Sequence, residues 1–422
     1  MNEEQEQALH LATEAGHILL ENGAEIGRVE ETMERIANAY GVEDESFFVL
    51  SNGIIATGQH YARAEFIPIK GTQLEKVVEV NQLSREITTD RMPLATLRER
   101  LQTIRTMPGK TWWELIAGIA CGVSTFAILF GGSLTDAAAT FACGLLLGVF
   151  MAFVSPRLSR IGGNVLGGLV GGLLCIAMVS ILPLFISHTP LTLHLPNMII
   201  GTIIALVPGV PFTNGMRDLA NEDYIAGSTR LTDAFLAFLC IALGVALAFI
   251  IEGALTGGIM ALGVPVIDPV ASHWAIQLAA AFVGTLGFSI LFGAPRRFYL
   301  DCGTTGMIGW GIYLLVLRVA GLTPTGAAFA GALAVAVVSA LQSKLRHCPT
   351  TVFLVCGIIP LVPGGGIFWT AYHLVSNHLS LAATTGFAAL KVTIAIAAGI
   401  IIVGTLSIRL QKRVAKTARN RT

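Results

Sequence analysis

Four residues in the stretch "TNGMRDLANED" could together handle a small polar solute: Asn214, Arg217, Asp218 and Asp223. A guanidinium grips a carboxylate through two parallel hydrogen bonds, and an aspartate accepts an ammonium group or a proton. Arg217 is therefore a candidate carboxylate clamp, Asn214 a neutral partner, and Asp218 and Asp223 candidate amine or proton acceptors. The same residues also fit a plainer arrangement, with Arg217 paired to Asp218 or lining an ordinary loop. Lys391 is a lone charge in the apolar run "GFAALKVTIAIAAGII". A charge at mid-bilayer costs roughly 3 kcal/mol unless it faces a cavity or a partner. Lys391 is thus a candidate anion site or proton-linked cation, or else a structural partner of Asp233.

Helix breakers surround the first group. In "ALVPGVPFTNGMRD" the apolar run from Pro196 stops at Pro208, about 18 Å along at 1.5 Å per residue and short of the roughly 30 Å hydrocarbon core. Pro208 and Pro211 each remove a backbone donor, and Gly209 lets the chain turn. The stretch "CGIIPLVPGGGIFW" repeats the device with Pro360, Pro363 and Gly364 to Gly366. Unwound backbone at that depth is tolerated where protein buries it or a watery cavity borders it. Interrupted spans at matching positions point to a substrate site. Pro208, Gly209, Pro211, Pro363, Gly364 and Gly365 therefore join the substrate-binding or coupling set. The alternative is two proline kinks without a ligand.

The elements that must position these residues are membrane helices. The chain has 422 residues, 54% hydrophobic and 13% charged, with a mean hydropathy of +0.70. Residues 1–110 carry 18 acidic and 11 basic side chains, a net of −7, and the rest is net +7. An acidic soluble domain (1–110) is predicted to precede a membrane domain. Ten spans are expected, near 112–131, 134–154, 161–186, 196–216, 231–251, 273–293, 302–318, 322–341, 351–371 and 382–408. Lys and Arg gather in alternate connections and in the tail "RLQKRVAKTARNRT", so both termini are expected in the cytoplasm. The N-terminus lacks the basic and apolar regions of a cleavable signal. His188, His194, His273, His373 and His378 fall on the outer side, as pH sensors or as interfacial residues. The seven cysteines have no metal spacing and read as packing residues.

"FAILFG" at 126–131 returns as "FSILFG" at 288–293, and "LVPG" at 206–209 returns at 361–364. Five spans per half is odd, so the second half enters the membrane from the opposite side. The fold expected is mainly α, two inverted five-helix repeats at 111–252 and 253–422. Glycines at 163, 167 and 171, with Gly168 and Gly172 beside them, mark a close helix contact in the third span, and Gly326, Ala330 and Ala334 a milder one in the eighth. In the soluble domain, two helices up to Tyr40, strands around an Asn52–Gly53 turn, and helices near 73–87 and 94–104 are predicted. His10, His17 and His60 there fit no HExxH motif, and GxSxG, Walker A and GxGxxG are also missing from this domain.

"VPGVPFTNGMRDLANEDYIAGSTRLTDAF" resembles the signature of the threonine/serine exporter family, and "VEETMERIANAYG" resembles its N-terminal part. "CPTTVFLVCGIIPLVPGGGIFWTAYHLV" resembles its second domain, a separate protein in some bacteria. The matched positions are Pro208, Gly209, Pro211, Asn214, Arg217, Asp218, Gly227, Pro363 and Gly364. The resemblance implies an inner-membrane secondary exporter of threonine and serine, energised by the proton motive force. Two-subunit relatives are implicated in dicarboxylate export, which makes succinate the alternative substrate. The partners implied are a small-molecule substrate and the lipid bilayer, with no cofactor, no metal and no nucleic acid; a homo-oligomer fits equally. An intramembrane hydrolase is the reading from another class, and it lacks GxSxG and GxGD motifs. An uncoupled channel is the third.

Overall fold

The computed structural model describes residues 3–419 apart from 44, 60, 69, 70, 186–191 and 258–266. His60, His188 and parts of two of the connections expected on the outer side therefore lie outside the described residues.

The N-terminal domain opens with two helices, α1 (Glu3–Glu21) and α2 (Ile26–Ala39), separated by the expected turn at Asn22 and Gly23. An antiparallel meander follows, β1 (Ser46–Leu50), β2 (Gly53–Gly58) and β3 (Tyr61–Phe66), in the order β1-β2-β3. Leu50 pairs with Gly53 across the first turn. Two more helices, α3 (Leu74–Thr89) and α4 (Leu94–Thr106), complete it. Leu9 and Leu20 of α1 share one buried core with Ile26, Val29, Met33 and Ile36 of α2, which are spaced by threes and fours. His17 is held by Glu65 at 3.1 Å, and among the described residues no cluster of metal-ligating side chains occurs.

Twelve α-helices follow among the described residues: α5 (Trp112–Leu129), α6 (Leu134–Val149), α7 (Arg160–Phe185), α8 (Leu195–Ile203), α9 (Gly209–Ala220), α10 (Tyr224–Thr256), α11 (Trp274–Leu291), α12 (Tyr299–Arg318), α13 (Pro324–Arg346), α14 (Thr350–Ile358), α15 (Gly364–Val375) and α16 (Leu379–Arg419). Among the described residues, eight helical segments are long and apolar enough to cross a membrane, and up to ten if each of two bent pairs is one span. The bent pairs are the fourth and ninth expected spans, α8 with α9 at 64° and α14 with α15 at 50°.

Corresponding elements have matching local geometry. α5 and α11 are each 18 residues long, and each is followed by a glycine in the left-handed region, Gly131 at φ 94° and Gly293 at φ 63°. They pack against each other in opposite directions. A Cβ on Gly118 would lie 3.0 Å from the Gly287 carbonyl, whereas one on Gly284 would lie 3.2 Å from the Phe126 ring.

Small residues also set the contact between α7 and α10, though not through the row at 163, 167 and 171. A Cβ on Gly168 would collide with the Ile241 carbonyl, and one on Gly244 with the Val165 carbonyl. Gly167 and Gly171 instead face Leu206 and Thr202. In α13 the buried face is Ala327, Ala328, Gly331 and Ala332, one position beyond the expected Gly326, Ala330 and Ala334. Spacing defines a stripe, but the neighbour's direction decides which stripe is buried. Gly244→Val should cost roughly 1–3 kcal/mol or more through overpacking, whereas Gly326→Ala, which meets nothing closer than 3.6 Å, should be neutral. Thermal unfolding of the purified protein reads both, and an unchanged Tm for Gly244→Val would contradict the contact.

Candidate functional site

The two breaks are built alike. A proline pushes the residue before it into extended backbone, and Val207 (φ −61°, ψ 128°) and Val362 (φ −61°, ψ 129°) comply almost identically. Pro208 (φ −76°, ψ 61°) and Pro363 (φ −77°, ψ 49°) then sit at the centre of inverse γ-turns. The Gly209 N–H donates to the Val207 carbonyl at 2.8 Å, and the Gly364 N–H to Val362 at 2.7 Å. Each new helix starts at that glycine. In α9 Pro211 falls in the first turn, where a missing N–H costs nothing.

The breaks also face one another. A Cβ on Gly364 would come 2.8 Å from Ile204 Cδ1, and one on Gly209 would strike Ile359 Cδ1. Gly365 lies against Ile200 and Phe130. Ile204, Val207, Ile359 and Val362 are all buried.

Beyond the first break, α9 carries the polar group, and it is engaged by the N-terminal domain. Asn214 donates to the Gly23 carbonyl at 2.7 Å. Arg217 pairs with Glu25 at 2.7 Å and donates to Thr351 at 2.9 Å, so the expected alternative pairing with Asp218 is replaced. Asp218, 1% exposed, accepts from Arg230 at 2.6 Å and from the Ile26 N–H at 3.3 Å. Arg230 also donates to the Ala24 carbonyl at 2.8 Å. The α1–α2 turn is thus gripped at each of four consecutive residues. A second seam lies on the other half, where the Leu74 and Glu75 N–H groups donate to the Phe292 and Gly293 carbonyls at 3.0 and 2.8 Å.

The family model described as "Putative threonine/serine exporter" matches residues 10–251, more than half of the chain, and "Threonine/Serine exporter, ThrE" matches 277–406. The chain belongs to the threonine/serine exporter family. It is similar to "Threonine/serine exporter" of Corynebacterium glutamicum, 23% identical, with 96% of this chain and 83% of that one covered. It also resembles "Probable threonine/serine exporter" of Mycobacterium tuberculosis, 23% identical over 88% of this chain and 70% of that one. "Probable succinate transporter subunit YjjP" of Escherichia coli is 25% identical over 60% of this chain and 98% of its own length. No solved structure matches at a significant level.

Of the positions that carry the exporter-family resemblance, Pro208, Gly209, Pro211, Pro363 and Gly364 form the breaks, and Asn214, Arg217 and Asp218 form the docking face. Gly227 lets α10 turn back against α9, where a Cβ would lie 2.7 Å from Leu219. Asp223 immediately precedes α10 and lines a cavity of about 390 Å³ together with Glu25, Glu30 and Arg217. A second cavity, of about 380 Å³, borders the other break at Pro363 and is lined by Gln277 and Trp310. The Trp310 indole donates to Gln277 there at 2.9 Å.

Lys391 stays apart from this group. It is exposed on a face of α16 that also exposes Phe387, Leu390 and Ile394, and its expected partner Asp233 is held by Arg160 at 3.4 Å. His194, expected on the outer side, bonds the buried Asp136 at 2.8 Å. Sequence reasoning missed Glu25, Arg230, Thr351, Gln277 and Trp310. In the sequence Arg230 is one of the basic residues that gather in alternate connections, and no local pattern marks the others.

Removing one partner of a buried ion pair costs roughly 3–5 kcal/mol, whereas replacing both is far milder. Asp218→Asn should therefore lower the Tm strongly, and the Asp218→Asn/Arg230→Met double variant should recover part of the loss. Burial pushes the Glu30 carboxyl above its ordinary value, despite the Val49 N–H it accepts, and Asp223 adds to the rise. The folded protein then holds this proton more tightly than the unfolded chain, so its contribution to stability fades as pH climbs. Glu30→Gln should weaken the loss of Tm that sets in as pH rises above the ordinary carboxylate range; an unchanged pH profile would contradict it.

Proposed function

We propose that this multi-pass membrane protein is a secondary exporter of threonine and serine in the bacterial inner membrane, energised by the proton motive force. Residues 1–110 form a cytoplasmic domain, and 111–252 and 253–422 are inverted five-span halves that alternate access around the two breaks. The C-terminus is cytoplasmic as well. The observation that carries this reading is the reciprocal packing of the breaks, Gly209 on Ile359 and Gly364 on Ile204, positions related by one fixed offset. Two equivalent elements that touch reciprocally are related by a two-fold axis, and the opposed packing of α5 and α11 supports an axis across the helices. Such an axis in the membrane plane is how inverted-repeat transporters are built.

The chemistry follows from the backbone. The first-turn N–H groups of α9 and α15 lack intrahelical acceptors, and their helix dipoles favour a carboxylate at the crossing. The polar cavity beside Arg217 and the one beside Pro363 lie on opposite sides of that crossing along α9 and α14–α15. A solute leaving one for the other passes the breaks. Pro208, Gly209, Pro211, Pro363, Gly364 and Gly365 are the passage, with Asn214, Arg217, Asp218 and Asp223 at its inner mouth.

The Escherichia coli relative named as a succinate transporter subunit supports dicarboxylate export as the second reading. Proteoliposomes loaded with labelled threonine, serine or succinate separate the two. Efflux of threonine and serine that depends on the pH gradient is expected, and efflux of succinate alone would transfer the assignment. Gly209→Val and Gly364→Val, which crowd the crossing from opposite sides, should each slow efflux at least tenfold while the protein still folds.

A further inference from the structure

The cavity of about 390 Å³ lies between α2 of the N-terminal domain, α9, the start of α14, and interior turns of α13 and α16. One wall is charged, with Glu25, Glu30, Arg28, Arg217 and Asp223; the opposite wall is apolar, with Ala336, Leu354 and Ile400. Arg217 is the residue sequence reasoning assigned to a substrate carboxylate, and a carboxylate occupies it. That carboxylate is Glu25, 4% exposed, at 2.7 Å. Its backbone neighbours Gly23, Ala24 and Ile26 are held by Asn214, Arg230 and Asp218, so the turn presents Glu25 to Arg217 as a fixed ligand.

Resting on the exporter reading above, we propose that this cavity is the cytoplasmic loading site for an α-amino acid, and that Glu25 is an internal stand-in for its carboxylate. An incoming amino acid exchanges with Glu25 at the Arg217 guanidinium, and its ammonium group faces Glu30 and Asp223. The exchange replaces one carboxylate–guanidinium pair by another. It removes the Glu25 hold on the α1–α2 turn and leaves those at Gly23, Ala24 and Ile26 in place, so loading loosens the turn without detaching the N-terminal domain. The same wall disfavours a dicarboxylate, whose second carboxylate would meet Glu30 and Asp223 in place of an ammonium group.

Binding of labelled threonine to the purified full-length protein tests this. Glu25→Gln, which removes the competitor, should bind threonine about tenfold or more tighter, since each tenfold corresponds to about 1.4 kcal/mol of lost competition. Glu25→Asp should stay near wild type, Arg217→Gln should lose binding in either background, and succinate should not compete. In the wild type, threonine should speed deuterium exchange at the amides of residues 22–26. Unchanged or weaker binding by Glu25→Gln, or wild-type binding by Arg217→Gln, overturns the proposal. If Arg217→Gln does not fold, the Glu25→Gln and Glu25→Asp pair decides. Wild-type proteoliposomes that export threonine while Glu25→Gln affinity is unchanged sink this proposal alone; absence of any export sinks the exporter reading itself.

Discussion

A proline within a membrane helix leaves a carbonyl one turn earlier without its donor, and no water is at hand to replace it. The architecture depends on how that deficit is met twice. Neither Pro208 nor Pro363 can serve the Ile204 or Ile359 carbonyl, so the N–H of the preceding valine does so, at 3.2 Å in both cases. The glycine after each proline then closes back on that valine. The result is a rigid corner with its polar groups satisfied, not a frayed helix. Because both corners are built from the same few bonds, they can lie face to face, each glycine leaving room for the other corner's isoleucine.

Backbone chemistry of this kind is local, and it was legible in the sequence. Proline and glycine placed both breaks, the apolar runs placed the long helices, and the periodic apolar series placed the N-terminal domain's core. The meaning of the charged cluster was not legible. Residues 25 and 217 are separated by most of the N-terminal domain, three long helices and the short α8, and nothing local in either one points to the other. Hydropathy gave the depth of Lys391 but not which side of α16 it faces, and depth alone made it look like part of the site. The glycine stripe of α7 was legible as a close contact, but not which of its glycines meets which neighbour: a helix face has no partner until the fold supplies it.

The charged residues of α9 thus hold two kinds of partner in one geometry. Arg217 satisfies a protein carboxylate in the structure, and its surroundings differ from those of a structural ion pair in having a cavity alongside. Asp218 and Arg230, by contrast, are bonded to each other and to the backbone of the turn at Ile26 and Ala24. The first pair borders open space and the second anchors the turn, so exchange at one leaves a scaffold at the other.

The seam at Phe292 and Gly293 has a different consequence. It consists of backbone hydrogen bonds from α3 to the loop after α11, together with Leu74 and Val78 inserted into the membrane domain's own core. None of these bonds requires α10 and α11 to be joined by a peptide chain. Were the polypeptide divided between those helices, the N-terminal domain would remain bonded to both fragments and would act as the staple that keeps a two-chain version of this protein together.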